Sequence, residues 1–296
     1  LAILVIILIG VIGYASRTTK LPSFFKQDGT QKTQAVIESP IRLNPALKPE
    51  YKESQQKLPP VTYKSVPGTE RVKYKIDSFK KLALQPLEFQ VFNENGKAYA
   101  PADLKIVNGY KMHYLVVSNN LTEFQHLYPE FEGGKWKVLA NLPTPGVYYA
   151  FVDISPEKEK PIVLRTTLSV RKSLGKDIVF PAVTPELASK AGAYKAKLTI
   201  SPGRLFETNV LSFVLNKNDD LVKNFQPYLG NMGNLVLFRQ GDLDGFFMYA
   251  KPLSSDQSRG LIEFSAIFIL PGRYTAFAEF KIGNSVVTFP FSFDIE

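Results

Sequence analysis

The heptapeptide PGVYYAF at 145–151 returns as PGRYTAF at 271–277, agreeing at five of seven positions. Pro-Gly fixes a turn, and the β-branched and aromatic residues after it favour extended chain, so each copy dictates a corner followed by a strand. A chain that repeats such a unit is expected to repeat the domain around it. From Arg71 onward the flanking pattern agrees: RVKYKI, LEFQVF, YLVV, KWKVLA, VYYAFVDI and PIVLRTTLSV are separated by NENG, SNN, EGG, TPG and SPEKEK. The rhythm resumes in KAKLTI, VLSFVL, NLVLF, LIEFSAIFIL, RYTAFAEFKI and SVVTFPFSF. TPELASKAGAY is the one helical candidate, and it falls where a connector between domains is expected.

The repeat extends outward. MHYLVVS at 112–118 aligns with MGNLVLF at 232–238, and FQHLYP at 124–129 with FMYAKP at 247–252, the second hairpin loop being longer by three residues. The expected fold is all-β: two tandem Ig-like antiparallel β-sandwiches at 71–171 and 192–296, joined by a connector at 172–191. Tyr148 and Phe151, like Tyr274 and Phe277, are three apart and must face opposite sides of their strand. One of each pair is expected inward, the other on the outer face or between the domains.

Ahead of the sandwiches, LAILVIILIGVIGYA at 1–15 is an uncharged run somewhat shorter than the roughly 20 residues that span a bilayer. The chain opens on Leu rather than Met, so a truncated start is expected, with the rest of a signal peptide or signal anchor beyond it. No small-x-small cleavage motif precedes Ser16, which favours an uncleaved anchor helix. Segment 16–70, rich in Lys, Gln, Pro and Ser, reads as a disordered linker with a reach of roughly 40 Å. Between 16 and 83 there are 14 Lys or Arg against 6 Asp or Glu, so nearly all of the net charge of +9 sits in the stretch leading into the folded region and in its first strand. A groove-binding domain would spread its basic residues over its own surface, so nucleic acid is not the expected partner. A basic tether drawn to anionic head groups or to an anionic envelope polymer fits better. The sandwiches are expected to be extracytoplasmic on a single-pass cell-membrane protein, although the positive-inside rule pulls such a flank the other way.

Cysteine is absent, which removes disulfides, thiol catalysis and Cys-based zinc sites. No G-x-S-x-G, Walker or H-E-x-x-H pattern occurs, and GDLDG fails as a calcium loop after Gly245. No catalytic or cofactor-binding residue is assigned, and the chain is read as a non-enzyme. The two histidines, His113 and His126, fall in one hairpin. With a two- or four-residue loop centred on Asn119-Asn120, opposed residue numbers add up to 239, which places the histidines directly opposite with Cβ atoms about 5 Å apart. That is close enough for both imidazoles to meet one metal ion, with Met112, Tyr128 and Glu130 as nearby candidates; two histidines with a soft ligand suit copper better than calcium or magnesium. Leu115, Val117 and Phe124 share that face and make it core-like, so a hydrogen-bonded structural pair is the competing reading.

KMHYLVVSNNLTEFQHLYPEF and LVKNFQPYLGNMGNLVLF resemble the two signatures of exported bacterial proteins in the YtkA-like, heavy-metal-associated class. The resemblance covers roughly Arg71 to the C-terminus and implies Ig-like envelope sandwiches, sometimes linked to copper handling. Several of that pattern's histidines are replaced here: Tyr128 stands before Pro129, Asn234 follows Met-Gly, and Tyr249, Ala250 and Lys251 precede Pro252. The scaffold residues are kept while potential ligands are lost. The leading expectation is a membrane-anchored, non-catalytic interaction module that presents sheet faces or edges to an envelope protein or anionic polymer; the alternative is an envelope copper-type protein using His113 and His126.

Overall fold

A computed structural model describes residues 66–68, 70–80, 83–171, 178–243 and 247–296. The expected anchor at 1–15 and most of the expected linker lie outside the described residues, among which no helix is long and apolar enough to cross a membrane. The described chain is all-β.

The first sandwich comprises β1 (Val66–Pro67), β2 (Val72–Tyr74), β3 (Ser78–Phe79), β4 (Ala83–Val91), β5 (Met112–Ser118), β6 (Phe124–Leu127), β7 (Glu130–Glu132), β8 (Lys135–Leu142), β9 (Gly146–Ile154) and β10 (Ile162–Val170). One sheet runs β1-β10-β9-β5-β6, with β3 also on β10, and the other runs β2-β4-β8-β7. The second sandwich comprises β11 (Ala188–Ala191), β12 (Tyr194–Ser201), β13 (Thr208–Lys217), β14 (Asp220–Leu221), β15 (Phe225–Gln226), β16 (Asn234–Arg239), β17 (Phe247–Tyr249), β18 (Lys251–Asp256), β19 (Leu261–Ile267), β20 (Gly272–Ile282) and β21 (Ser285–Ile295). Its sheets run β11-β12-β13-β19-β18, with β14 on β13, and β15-β20-β16-β17, with β21 on β20. β1 and β3 lie parallel to β10, and the other strand ladders are antiparallel.

The ordered chain reaches beyond the expected limits. Val66 and Pro67 already pair with β10, inside the stretch read as linker, and β11 pairs with β12, inside the stretch read as connector. The helical candidate there forms only a single 3-10 turn, Pro185–Leu187. Glu186 and Leu187 both take positive φ, 51° and 46°, and two successive left-handed residues end any right-handed helix.

The repeated heptapeptide is a tyrosine corner. Gly146 and Gly272 adopt φ of 146° and 126°, where a side chain is strained. Across each corner the tyrosine hydroxyl returns to the residue four positions earlier: Tyr148 donates to the Thr144 carbonyl at 3.1 Å and accepts from its amide at 3.0 Å, and Tyr274 donates to the Leu270 carbonyl at 2.7 Å. Tyr148 and Tyr274 lie in the cores of their own sandwiches, whereas Phe151 and Phe277 leave the opposite strand face and meet between the sandwiches. The alternation expected from the spacing therefore has a destination.

The register corrects the alignment of the copies by one residue. His113 pairs with Asp153 and Asn234 pairs with Glu279, and Asp153 and Glu279 occupy the same place after PG-x-Y-x-A-F. Met112 therefore corresponds to Gly233, not Met232, and the second hairpin loop is longer by two residues rather than three. This correspondence exposes an exchange of volume. In the first copy Met112 pairs with Ile154; in the second, a Cβ on Gly233 would lie 2.7 Å from the Phe280 ring and 3.0 Å from the Glu279 carbonyl. The larger Phe280 occupies the room that the missing side chain leaves. Gly233→Ala is expected to destabilise the chain by about 1–3 kcal/mol through overpacking, and Gly233→Ala/Phe280→Leu to recover part of that loss, as read by chemical denaturation.

Candidate functional site at the seam between the sandwiches

Sheet β1-β10-β9-β5-β6 and sheet β15-β20-β16-β17 press together along the faces they turn away from their own cores. Leu115, Val117, Phe151 and Val163 from one side pack with Val236, Phe238, Phe247 and Phe277 from the other, all buried. Phe124 stacks on Phe277 with ring centroids 4.5 Å apart, and Phe151 packs against Phe247 at 4.9 Å.

At one end of this apolar seam the same strands bring polar side chains into contact. His113 Nε2 lies 2.9 Å from the Val107 carbonyl, and His113 Nδ1 lies 2.9 Å from His126 Nε2. His126 Nδ1 then lies 3.0 Å from Glu279 Oε2 across the seam, with the two side chains 1% and 4% exposed. Asn234 Nδ2 donates to the same oxygen at 2.8 Å, and the Tyr228 hydroxyl approaches Oε1 at 3.5 Å. Tyr228 in turn shares a 2.6 Å hydroxyl contact with Tyr128, whose ring stacks under Tyr110 at 3.7 Å.

The partners give this chain a direction. A carbonyl only accepts, so His113 Nε2 carries a proton and donates to Val107. Burial pushes the His113 pKa down to about 4, with the charge of His126 adding to the effect against the opposing pull of the Val107 carbonyl and Glu279. His113 is therefore neutral near pH 7 and its Nδ1 accepts from His126 Nε2. One further proton is held between His126 Nδ1 and Glu279 Oε2, because two bare lone pairs do not attract. Burial likewise raises the hydroxyl pKa values of Tyr128, Tyr228 and Tyr249, so all three remain neutral donors. Asp153, the ladder partner of His113, is raised by burial to about 6.

Equivalent positions of the two copies meet reciprocally. His126 and Tyr249 correspond in the repeat, as do Asp153 and Glu279. His126 reaches Glu279, and the Tyr249 hydroxyl lies close enough to Asp153 for each to affect the other's ionisation, although it makes no geometrically sound hydrogen bond.

The histidines share a sheet face and their rings converge, but they are not directly opposed. Leu115 pairs with His126, so opposed numbers add up to 241 and the histidines are diagonal neighbours. The cause is the loop. Six residues, 118–123, separate the last pair of Val117 and Phe124, with Ser118 Oγ accepting from the amides of Thr122 and Glu123 and Leu121 at φ 61° burying its side chain in the seam. An even loop preserves the face while shifting the register by two. The other nearby ligand candidates are elsewhere: Met112 lies in the first sandwich core, Glu130 is exposed on β7, and the Tyr128 hydroxyl faces Tyr228. Among the described residues no group of three His, Cys, Asp or Glu is placed to hold a metal. Asp153, Tyr228 and Glu279 escaped the sequence reading, although AFVD and AFAE extend the repeated heptapeptide to an acid at the same position in both copies.

The chain belongs to the DUF8832 family, described as a domain of unknown function, whose pattern matches it twice, at 64–172 and 188–296. No curated protein matches it. Among solved structures it is similar to FdeC, an Escherichia coli adhesin, at 11% identity and a TM-score of 0.23, covering 76% of this chain and 63% of that one. It is also similar to Salmonella alpha-2-macroglobulin (13%, TM-score 0.23, covering 79% of this chain and 15% of that chain) and to a solved fragment of intimin (12%, TM-score 0.21, covering 76% and 97%). At such TM-scores these likenesses carry no argument about function.

Two outcomes follow from the seam. Glu279→Leu strands the buried His126 and is expected to cost about 3–5 kcal/mol, whereas Glu279→Gln, which can still accept from Asn234 and donate to His126, is expected to cost clearly less; denaturant titration reads both. The second concerns pH. The lowered pKa of His113 means that the unfolded chain binds the extra proton between pH 6.5 and about 4, so its contribution to stability falls as pH falls through that window. The raised pKa of Asp153 acts oppositely: the folded chain binds the proton between pH 3.8 and about 6, so its contribution falls as pH rises. Asp153→Asn removes the second effect, and unfolding midpoints are expected to climb more steeply from pH 4 to 6 than in the wild type.

Proposed function

We propose that this protein is a non-catalytic interaction module, tethered to the cell membrane by its N-terminal segment, with the two sandwiches held outside the cytoplasm. One observation carries the reading: the convergent titratable groups lie inside the seam and are spent on each other. All four imidazole nitrogens and the Glu279 carboxylate face partners within the chain. What remains for other molecules is the outward sheet faces and strand edges, the surfaces by which β-domains present themselves to proteins and polymers. A basic linker of about 50 residues, with a reach of roughly 40 Å, gives such a body freedom to search near its anchor.

The test is made in the cell of origin. A photo-crosslinking residue at Leu139, exposed on β8, or at Thr199 on β12 is expected to form adducts in the envelope fraction, whereas one at the buried Leu115 is not. Absence of adducts at every outward position tried would sink the reading. Protease added to spheroplasts is expected to digest the sandwiches, and their protection would reverse the orientation.

A second reading, envelope copper binding, rests on how the rings are held. Metal-bound histidines commonly donate their outer nitrogen to a carbonyl or carboxylate, and here Val107 and Glu279 supply one of each. His113 Nδ1 and His126 Nε2 are the inner pair that would hold the ion, as the YtkA-like resemblance suggests. At 2.9 Å they are too close for a linear two-coordinate ion, which needs about 4 Å, so the rings must part and give up their bridging proton. Copper titration of the wild type and of His113→Ala/His126→Ala decides it: histidine-dependent stoichiometric binding supports this reading, and equal binding by both removes it.

A further inference from the structure

Away from the seam, the outward face of the second sandwich carries charge that its own fold leaves unanswered. Lys190 of β11 stands directly opposite Lys195 of β12, and Lys197 lies two residues along the same strand face, opposite Ala188. All three are exposed. Like charges directly opposed on a ladder destabilise it. With about 5 Å between Cβ atoms across the strands and about 7 Å along one, the three lysines rise from a compact triangle of backbone positions. None makes an ion pair with another described residue. The outward face of the first sandwich is arranged differently. There Lys75 and Lys135 reach Glu88 at 3.3 and 3.9 Å, and Lys137 reaches Glu132 at 2.7 Å.

The surroundings narrow the ligand. Glu186, in the turn before β11, is exposed and pairs with none of the three. Glu263, farther across the face, gives its oxygens to Ser212 and Ser254. Lys195 and Lys197 are flanked on β13 by Asn216 and Val214, and the neighbouring Tyr194 packs against the core on the other strand face, so neither flanking position offers a ring on which a nucleic-acid base could stack. The cations are all lysines, point charges that meet phosphate oxygens in any orientation, without the planar two-point fork by which arginine grips carboxylate and phosphate alike, which suits a flexible chain of single charges.

We infer that the Lys190–Lys195–Lys197 triangle is a docking site for a phosphodiester-linked polyol chain, whose repeated single negative charges meet three cations carried on neighbouring strand positions. The inference deepens the interaction-module reading by naming a polymer and the face that receives it.

The test uses the full chain in neutral detergent, with poly(glycerol phosphate) of about 30 repeats as the probe, titrated across a series of salt concentrations. Removing three cations, K190Q/K195Q/K197Q, is expected to weaken binding at least tenfold at low salt and to reduce the slope of log affinity against log salt by about 2. The charge-matched control K75Q/K135Q/K137Q, which removes lysines already paired with glutamates, is expected to change affinity less than twofold. The basic linker is common to both variants, so its own attraction for the probe cancels. Equal losses in the two variants, or no loss in either, would overturn the site. Lysine-dependent binding of a 30-nucleotide single-stranded DNA as tight as that of the polyol phosphate would overturn the choice of ligand. Failure of this titration alongside outward-face crosslinks to a protein would leave the module reading standing without its polymer; absence of such crosslinks would remove the module reading whatever the titration gives.

Discussion

Each sandwich turns one sheet face of large apolar residues away from its own core, and that face has to be covered. Leu115, Val117 and Phe151 on one copy, and Val236, Phe238 and Phe277 on the other, are at most 2% exposed because they cover each other. Had either copy stood alone, these side chains would form the contiguous exposed patch that soluble domains avoid. The seam therefore sets the outline of the whole folded region: two inner sheets face to face, two outer sheets turned away, and a tyrosine corner in each copy sending one aromatic to its core and the next to the seam.

Because both copies contribute the same strands, the seam has the logic of a twofold dimer fused into one chain, in which position i meets j and j meets i. The duplicated acids show what that logic demands. Asp153 and Glu279 are each carried into the buried layer by the same register, and a buried carboxyl is costly unless it keeps its proton or finds a partner. The two copies resolve this differently. Glu279 receives His126 and Asn234, while Asp153, facing a tyrosine rather than a histidine, has its pKa raised by burial to about 6. Divergence between the copies has thus left one half of the symmetric contact in which the acid meets a histidine and an asparagine, and one in which burial leaves the acid with a raised pKa.

Most of the architecture was legible in the sequence, for specific reasons. PG-x-Y announces itself because glycine and the tyrosine hydroxyl are both needed to close the corner, and a period of two assigns Tyr148 and Phe151 to opposite faces whatever surrounds them. The same parity put His113 and His126 on one face even though the loop was misjudged. Register was harder to read, since it depends on how Ser118 and Leu121 fold the hairpin end, and Asn119-Asn120 looked like a complete turn. The cross-seam partners were out of reach for another reason: Glu279 lies 153 positions from His126, and no local pattern says which faces of two sandwiches will meet. The helical reading of TPELASKAGAY failed on backbone conformation at Glu186 and Leu187, which their side chains do not advertise.

The seam also governs how the remaining surface can act. Tandem β-domains joined only by a linker orient independently, and each face searches for its own partner; a buried apolar layer with a hydrogen-bonded end holds both outer sheets in fixed opposition. One of those sheets sets Lys75, Lys135 and Lys137 against Glu88 and Glu132, and the other carries Lys190, Lys195 and Lys197 with no ion pair among the described residues. If the proposed site holds a polymer, the buried seam leaves the opposite face pointing outward and open to a second contact. On that proposal, an asymmetric charge distribution on a nearly symmetric scaffold lets one body join two different things.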